Sequence, residues 1–120
     1  MVIIIAISLF ALGCAKKFDT PHMADFDLKT FKVSSSKGLL LLYVQNSEKE
    51  YKFSLVNALG APEARRILKE GSFKNLGFLP PNSAYNKLFI KVLEMIKDEK
   101  SEQKFMIDDQ YYEVESVDLR

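Results

Sequence analysis

Side chains able to do chemistry are scarce in this 120-residue chain, which holds one histidine, His22, and one cysteine, Cys14. Triads and Cys-His dyads need a histidine beside the nucleophile to act as its base. His22 falls in the stretch AKKFDTPHMAD, which has no periodicity and contains Pro21, so it reads as an irregular connecting segment. A zinc site built from Cys and His is excluded by count, and no glycine-rich phosphate loop occurs. The adjacent Asp108 and Asp109 are the last acid/base candidates. Neighbouring residues of a strand point to opposite faces, and acids in a turn face water, so they make a poor catalytic pair. The expectation is a protein that is not an enzyme, with no catalytic residues, metal or cofactor.

Cys14 has a different context. Val2 to Leu12 reads VIIIAISLFAL, interrupted only by Ser8. That run is too short for a bilayer-crossing helix, which needs about 20 apolar residues, but fits the apolar core of a signal peptide, about 7 to 15 residues long. Gly13 supplies the small residue of a cleavage site. Ala11-Leu12-Gly13-Cys14 resembles the lipobox of bacterial lipoproteins, in which the cysteine is lipidated and becomes the new N-terminus. Ala11 stands where leucine is usual, and no Lys or Arg precedes the run, which also fits an internal start at Met1. The expected division is 1–13 signal peptide, 14–25 lipidated N-terminus and tether, and 26–120 a single domain. A buried β-strand over 1–14 is the alternative. With no second cysteine there is no internal disulfide, so acylation is the chemistry expected of Cys14. One acyl chain binds a membrane marginally, whereas several hold firmly, making membrane lipid the first expected partner.

The 17 basic and 16 acidic residues give a net charge of +1. Basic residues are mostly lysines scattered among acids, and the one arginine pair, Arg65-Arg66, reads as solvated surface. Nucleic acid is therefore not an expected partner. An apolar content of 48% with 28% charged residues matches a folded globular domain.

Phe26 to Val33 reads as a strand whose apolar residues switch from even to odd positions, which predicts a bulge. Ser34 to Gly38 is a turn, Leu39 to Val44 a strand, Gln45 to Glu50 a hairpin connection, and Tyr51, Phe53 and Leu55 alternate in the next strand. Residues 61–70 read locally as a short helix, with Pro62 and Glu63 at its start and Gly71 at its end, or else as part of a hairpin closed by Gly71 and Phe73 to Leu79. From Ser83 to Lys97, Tyr85, Leu88, Phe89, Val92, Leu93 and Ile96 form one apolar helical stripe, with Asn82 as cap. Such a stripe covers a sheet or lies on a membrane surface. Lys104 to Ile107 and Tyr111 to Val117 flank a turn at Asp108-Asp109-Gln110.

In this order, the lipobox, the stretch YKFSLVNALG at 51–60 and the stretch IDDQYY at 107–112 resemble the LolA/LolB family of lipoprotein-localisation proteins, and within it the outer-membrane receptors that are themselves lipoproteins. The resemblance covers Phe26 to Asp118. In the family the first stretch runs into a Pro-Leu-Gly loop, where this chain has Ala58-Leu59-Gly60. The resemblance implies an α+β fold, a curved antiparallel sheet (partial half-barrel) packed against one long amphipathic helix, and makes 61–79 two strands. It also implies a membrane-anchored protein that binds lipoprotein acyl chains and helps localise lipoproteins to the outer membrane, with a LolA-like periplasmic carrier and cargo lipoproteins as partners. Leu59 becomes a membrane-facing loop residue; its alternative is a small plug folded back on the sheet edge. Leu40, Leu42, Phe53, Leu55, Leu88, Phe89, Val92 and Leu93 become acyl-chain cavity candidates, with ordinary core packing as their alternative. The family's sheet continues beyond the point where this chain ends. A second reading is a non-enzymatic structural or protein-binding envelope lipoprotein that uses a sheet edge or the 77–81 segment as its contact.

Overall fold

The computed structural model describes residues 17–77 and 82–117. The expected signal peptide, Cys14 and residues 78–81 of the second contact segment lie outside these. The elements are β1 (Phe26–Ser35), β2 (Gly38–Ser47), β3 (Glu50–Asn57), β4 (Pro62–Lys69), β5 (Ser72–Asn75), α1 (Ser83–Lys97), β6 (Glu102–Ile107) and β7 (Gln110–Val117). The strands form one antiparallel sheet in the order β5-β4-β3-β2-β1-β7-β6. The fold is thus α+β, an open curved sheet with one helix.

Alternation explains the sheet. Phe31 and Val33, Leu42 and Val44, Tyr51, Phe53 and Leu55, and Tyr112 and Val114 are buried, while most of their neighbours along the strands are at least partly exposed. Such a period of two places each set on one face. The expected bulge is present: the register of β1 on β2 shifts between Phe26 and Lys29. Two hairpins close through two-residue turns, Glu48-Lys49 and Asp108-Asp109, with all four residues at positive φ between 48° and 66°. That left-handed pair matches the twist of the flanking strands, which is why it serves without glycine.

The local helix reading of 61–70 is overturned. Pro62–Lys69 is strand β4, paired through Leu55↔Ala64, Phe53↔Arg66 and Tyr51↔Leu68. Pro62 heads the strand beside a register shift instead of opening a helix, and Gly71, at φ 81°, turns β4 into β5. The two-strand reading taken from the resemblance is the one observed, β5 being limited to Ser72–Asn75.

Helix α1 has the expected ends. Asn82 caps it, its side chain accepting from the Ala84 N–H at 3.0 Å. Its 15 residues span about 22 Å, four turns in place of a long helix. Leu88, Phe89, Val92, Leu93 and Met95 are buried, so the stripe extends to Met95, while Tyr85 and Ile96 lie at its half-buried margins. The helix carries the chain from edge strand β5 to edge strand β6 and covers the inner face between them.

Residues 17–25 have no regular structure, and they are docked on the domain. The Phe18 N–H donates to Gly71 O at 2.8 Å, and the Phe18 ring packs edge-on against Phe73 at 5.4 Å. The Tyr51 hydroxyl donates to Pro21 O, and Asn46 Nδ2 donates to Met23 O and Ala24 O at 3.2 and 3.1 Å. A Cβ at Gly71 would stand 2.8 Å from Phe18 O, so this close approach requires glycine there. Phe18 also shares a 360 Å³ cleft with Met106 and Ile107 of β6, so the segment reaches both edges of the curved sheet.

Candidate functional site

Leu59 sits in the four-residue connection between β3 and β4. Asn57 organises that loop: its Oδ1 accepts from the Leu59 and Ala61 N–H groups at 2.9 and 3.0 Å. The Gly60 N–H donates to Asn57 O, and the Asn57 N–H to Ala61 O, both at 2.9 Å. An Asx turn of this kind stiffens a loop. Leu59 is 93% exposed, so it does not plug the sheet edge. An apolar side chain this exposed gains nothing from folding.

Beside the loop lies a groove of 450 Å³ lined on its apolar side by Leu39, Leu40, Leu59, Tyr85 and Tyr112, and on its polar side by Lys37, Asn57, Glu63 and Asn82. Four separate stretches converge here: the β1–β2 hairpin, the β3–β4 loop, the start of α1 and the start of β7. Burial pushes the Tyr85 and Tyr112 hydroxyls above their ordinary pKa, and Glu63 adds to the shift at Tyr85. Both are neutral hydrogen-bonding groups at neutral pH.

Of the eight cavity candidates, only Leu40 borders this groove. Leu42, Phe53, Leu55, Leu88, Phe89, Val92 and Leu93 belong to the packed core instead. Phe53 and Phe89 stack face to face, 4.5 Å between centroids and 4° from parallel, and thereby fill the space between sheet and helix. The expected acyl-chain cavity at these seven residues is occupied by their own side chains.

Arg66 was missed by the sequence reading. Arg65 is exposed, but Arg66 alternates with Ala64 and Leu68 on the inner face and is 2% exposed. Its Nη1 donates to Asn82 O at 2.9 Å and to Asn86 Oδ1, and its guanidinium lies 5.8 Å from the Tyr85 ring centre and 5.9 Å from that of Phe89. It makes no ion pair among the described residues. Burial pushes its pKa down, partly offset by Tyr85. The signal was the alternating phase of β4, visible only once 61–70 is read as a strand.

Asp108 and Asp109 occupy the exposed β6–β7 turn, where Asp108 pairs with Lys87 at 2.8 Å. His22 lies on the docked segment, beside a 240 Å³ cleft. Among the described residues no group of three or more His, Cys, Asp or Glu could hold a metal ion, and no helix is long and apolar enough to cross a membrane. No family model, curated protein or solved structure matches the chain.

Proposed function

We propose that this chain is a lipid-anchored envelope lipoprotein, tethered through Cys14 and facing the periplasm, that receives the acyl chains of other lipoproteins and passes them to the outer membrane. The carrying observation is Leu59, an apolar residue held in water by a loop braced on Asn57. Such a residue is suited to enter the apolar zone of a bilayer or meet an acyl chain, and the neighbouring groove offers apolar surface continuous with it. The curved sheet and its covering helix agree with the half-barrel that the resemblance implies, with a helix of four turns. A cargo lipoprotein and a LolA-like carrier are the partners of this reading, and no covalent chemistry is required: burial of each methylene is worth about 0.8 kcal/mol.

The test is delivery of a lipoprotein to acceptor vesicles by the full lipidated chain. Leu59→Glu lowers delivery about tenfold or more while the melting temperature stays put, because exposed substitutions change stability by about 0.5 kcal/mol at most. Normal delivery by a stable Leu59→Glu protein removes the transfer role.

The filled interior favours a second reading, an envelope lipoprotein that binds a protein partner through the Leu59 end. There, Leu59→Glu abolishes capture of that partner, and the wild-type chain transfers no lipoprotein.

A further inference from the structure

A second cleft, of 560 Å³, lies between the last turn of α1, the start of β1 and the docked N-terminal segment. Its size falls within the range of about 300–1,000 Å³ typical of small-molecule sites. The floor is apolar: Met23, Phe26 and Ile96 are half-buried at its surface, and the buried Phe31 and Met95 lie directly beneath. The bulge in β1 is what brings Phe26 onto the same face as Phe31, since it adds one residue between them.

Lys29 shares that inner face by alternation with Phe31 and stands at the mouth, its Nζ 5.3 Å from the centre of the Phe26 ring. An inward-pointing charge commonly guards an exposed sheet edge. Among the described residues β7 pairs with β1 from Thr30 onward, so Lys29 is paired on the β2 side alone, opposite Val44, and its charge stands where the sheet meets the cleft. Lys100 stands on the rim as well, with Glu99 as the one acid among the described residues that line the cleft. None of the three makes an ion pair among the described residues. Carbonyls in the last turns of α1 already accept from the N–H groups of Asp98, Glu99 and Lys100, so an anion at the mouth meets the lysine side chains.

We propose that this cleft binds a single-chain anionic amphiphile, its alkyl chain on Met23, Phe26 and Ile96, above the buried Met95, and its phosphate or carboxylate head between Lys29 and Lys100. The proposal rests on the acyl-chain reading and relocates the chain: the interior beneath α1 is filled, whereas this cleft is open without moving the helix.

The test titrates the full chain, carrying ¹³C-methyl methionine, with dodecyl phosphate below its micelle concentration. The methyls of Met23 and Met95 shift saturably, while Met106, exposed on β6 outside the cleft, does not. Inorganic phosphate alone produces no shift, because the chain supplies the binding surface. The double variant Lys29→Glu/Lys100→Glu, with its unliganded methyl spectrum retained, binds dodecyl phosphate about tenfold more weakly and dodecyltrimethylammonium more tightly. Ile96→Gln weakens both probes. Dodecyl phosphate binding that leaves Met23 and Met95 unmoved, or that ignores the charge reversal, overturns the cleft and leaves acyl-chain handling standing. Shifts with inorganic phosphate alone also overturn it. No binding of either alkyl probe overturns the cleft and the acyl-chain reading together.

Discussion

Two residues run against the usual partition of side chains between core and water, and each has a local cause. Leu59 is exposed because Asn57 uses both ends of its side chain and its backbone to hold the β3–β4 loop outward. Arg66 is buried because the alternation of β4 carries it inward, where two acceptors at the start of α1 and two aromatic faces receive it. A buried cation without an anion keeps part of its desolvation cost, so its long stem and volume matter more to stability than its charge. Arg66→Met is therefore expected to unfold within about 1 kcal/mol of wild type, while Arg66→Ala, which leaves a cavity, loses about 2 to 5 kcal/mol. Urea denaturation of the two variants measures this. Equal losses would assign the effect to the bonds with Asn82 and Asn86 rather than to packing.

At the scale of elements, α1 closes the core through one side only. Phe89 is fully buried against Phe53, whereas Lys91 is half exposed and pairs with Glu94 at 3.9 Å. Phe89→Asp is expected to unfold the domain, since an unpaired buried charge costs several of the about 5 to 15 kcal/mol that stabilise a small domain. Lys91→Asp changes the melting temperature little, and thermal melts of the pair decide the matter. This helix was legible in the sequence to its last residue, because a period near 3.6, an Asn cap and preceding prolines agree at every position. The bulge in β1 was legible too, from the switch of apolar parity after Leu28. Strand β4 was not, since Pro62, Glu63 and Gly71 carry the same punctuation for a helix as for a hairpin, and only its pairing with β3 decides. Placing β7 beside β1 depends on partners such as Thr30 and Val117, far apart in the chain, which no local pattern encodes. For the same reason the exposed Leu59 loop could be located by its Asn and Gly residues, whereas the groove beside it and the cleft floored by Phe26 and Met95, each assembled from separate stretches, could not.

The whole molecule is a curved sheet whose inner face is closed by α1 and whose N-terminal segment is docked from Phe18 onward. Only three residues separate Cys14 from Phe18, so the four steps between them reach at most about 14 Å. If Cys14 carries lipid, the domain is held close against its membrane instead of swinging on a long leash. Burial also gives the fold an alkaline limit. Tyr51, Tyr85 and Tyr112 all have pKa values raised above that of a free tyrosine, chiefly by desolvation. The folded state holds these protons more tightly than the unfolded one, so their contribution is complete below about pH 10 and is lost as pH rises through the raised values. Urea midpoints should therefore fall from pH 9 to 11, and the fall should shrink in Tyr85→Phe/Tyr112→Phe; an unchanged slope would remove these two hydroxyls as its cause. Native mass spectrometry of the protein extracted from its own membrane bears most directly on the central claim. The account predicts a chain that begins at an acylated Cys14, with a fraction carrying a further non-covalent acylated molecule. A chain that retains residues 1–13 with an unmodified Cys14 thiol and no bound lipid would contradict it.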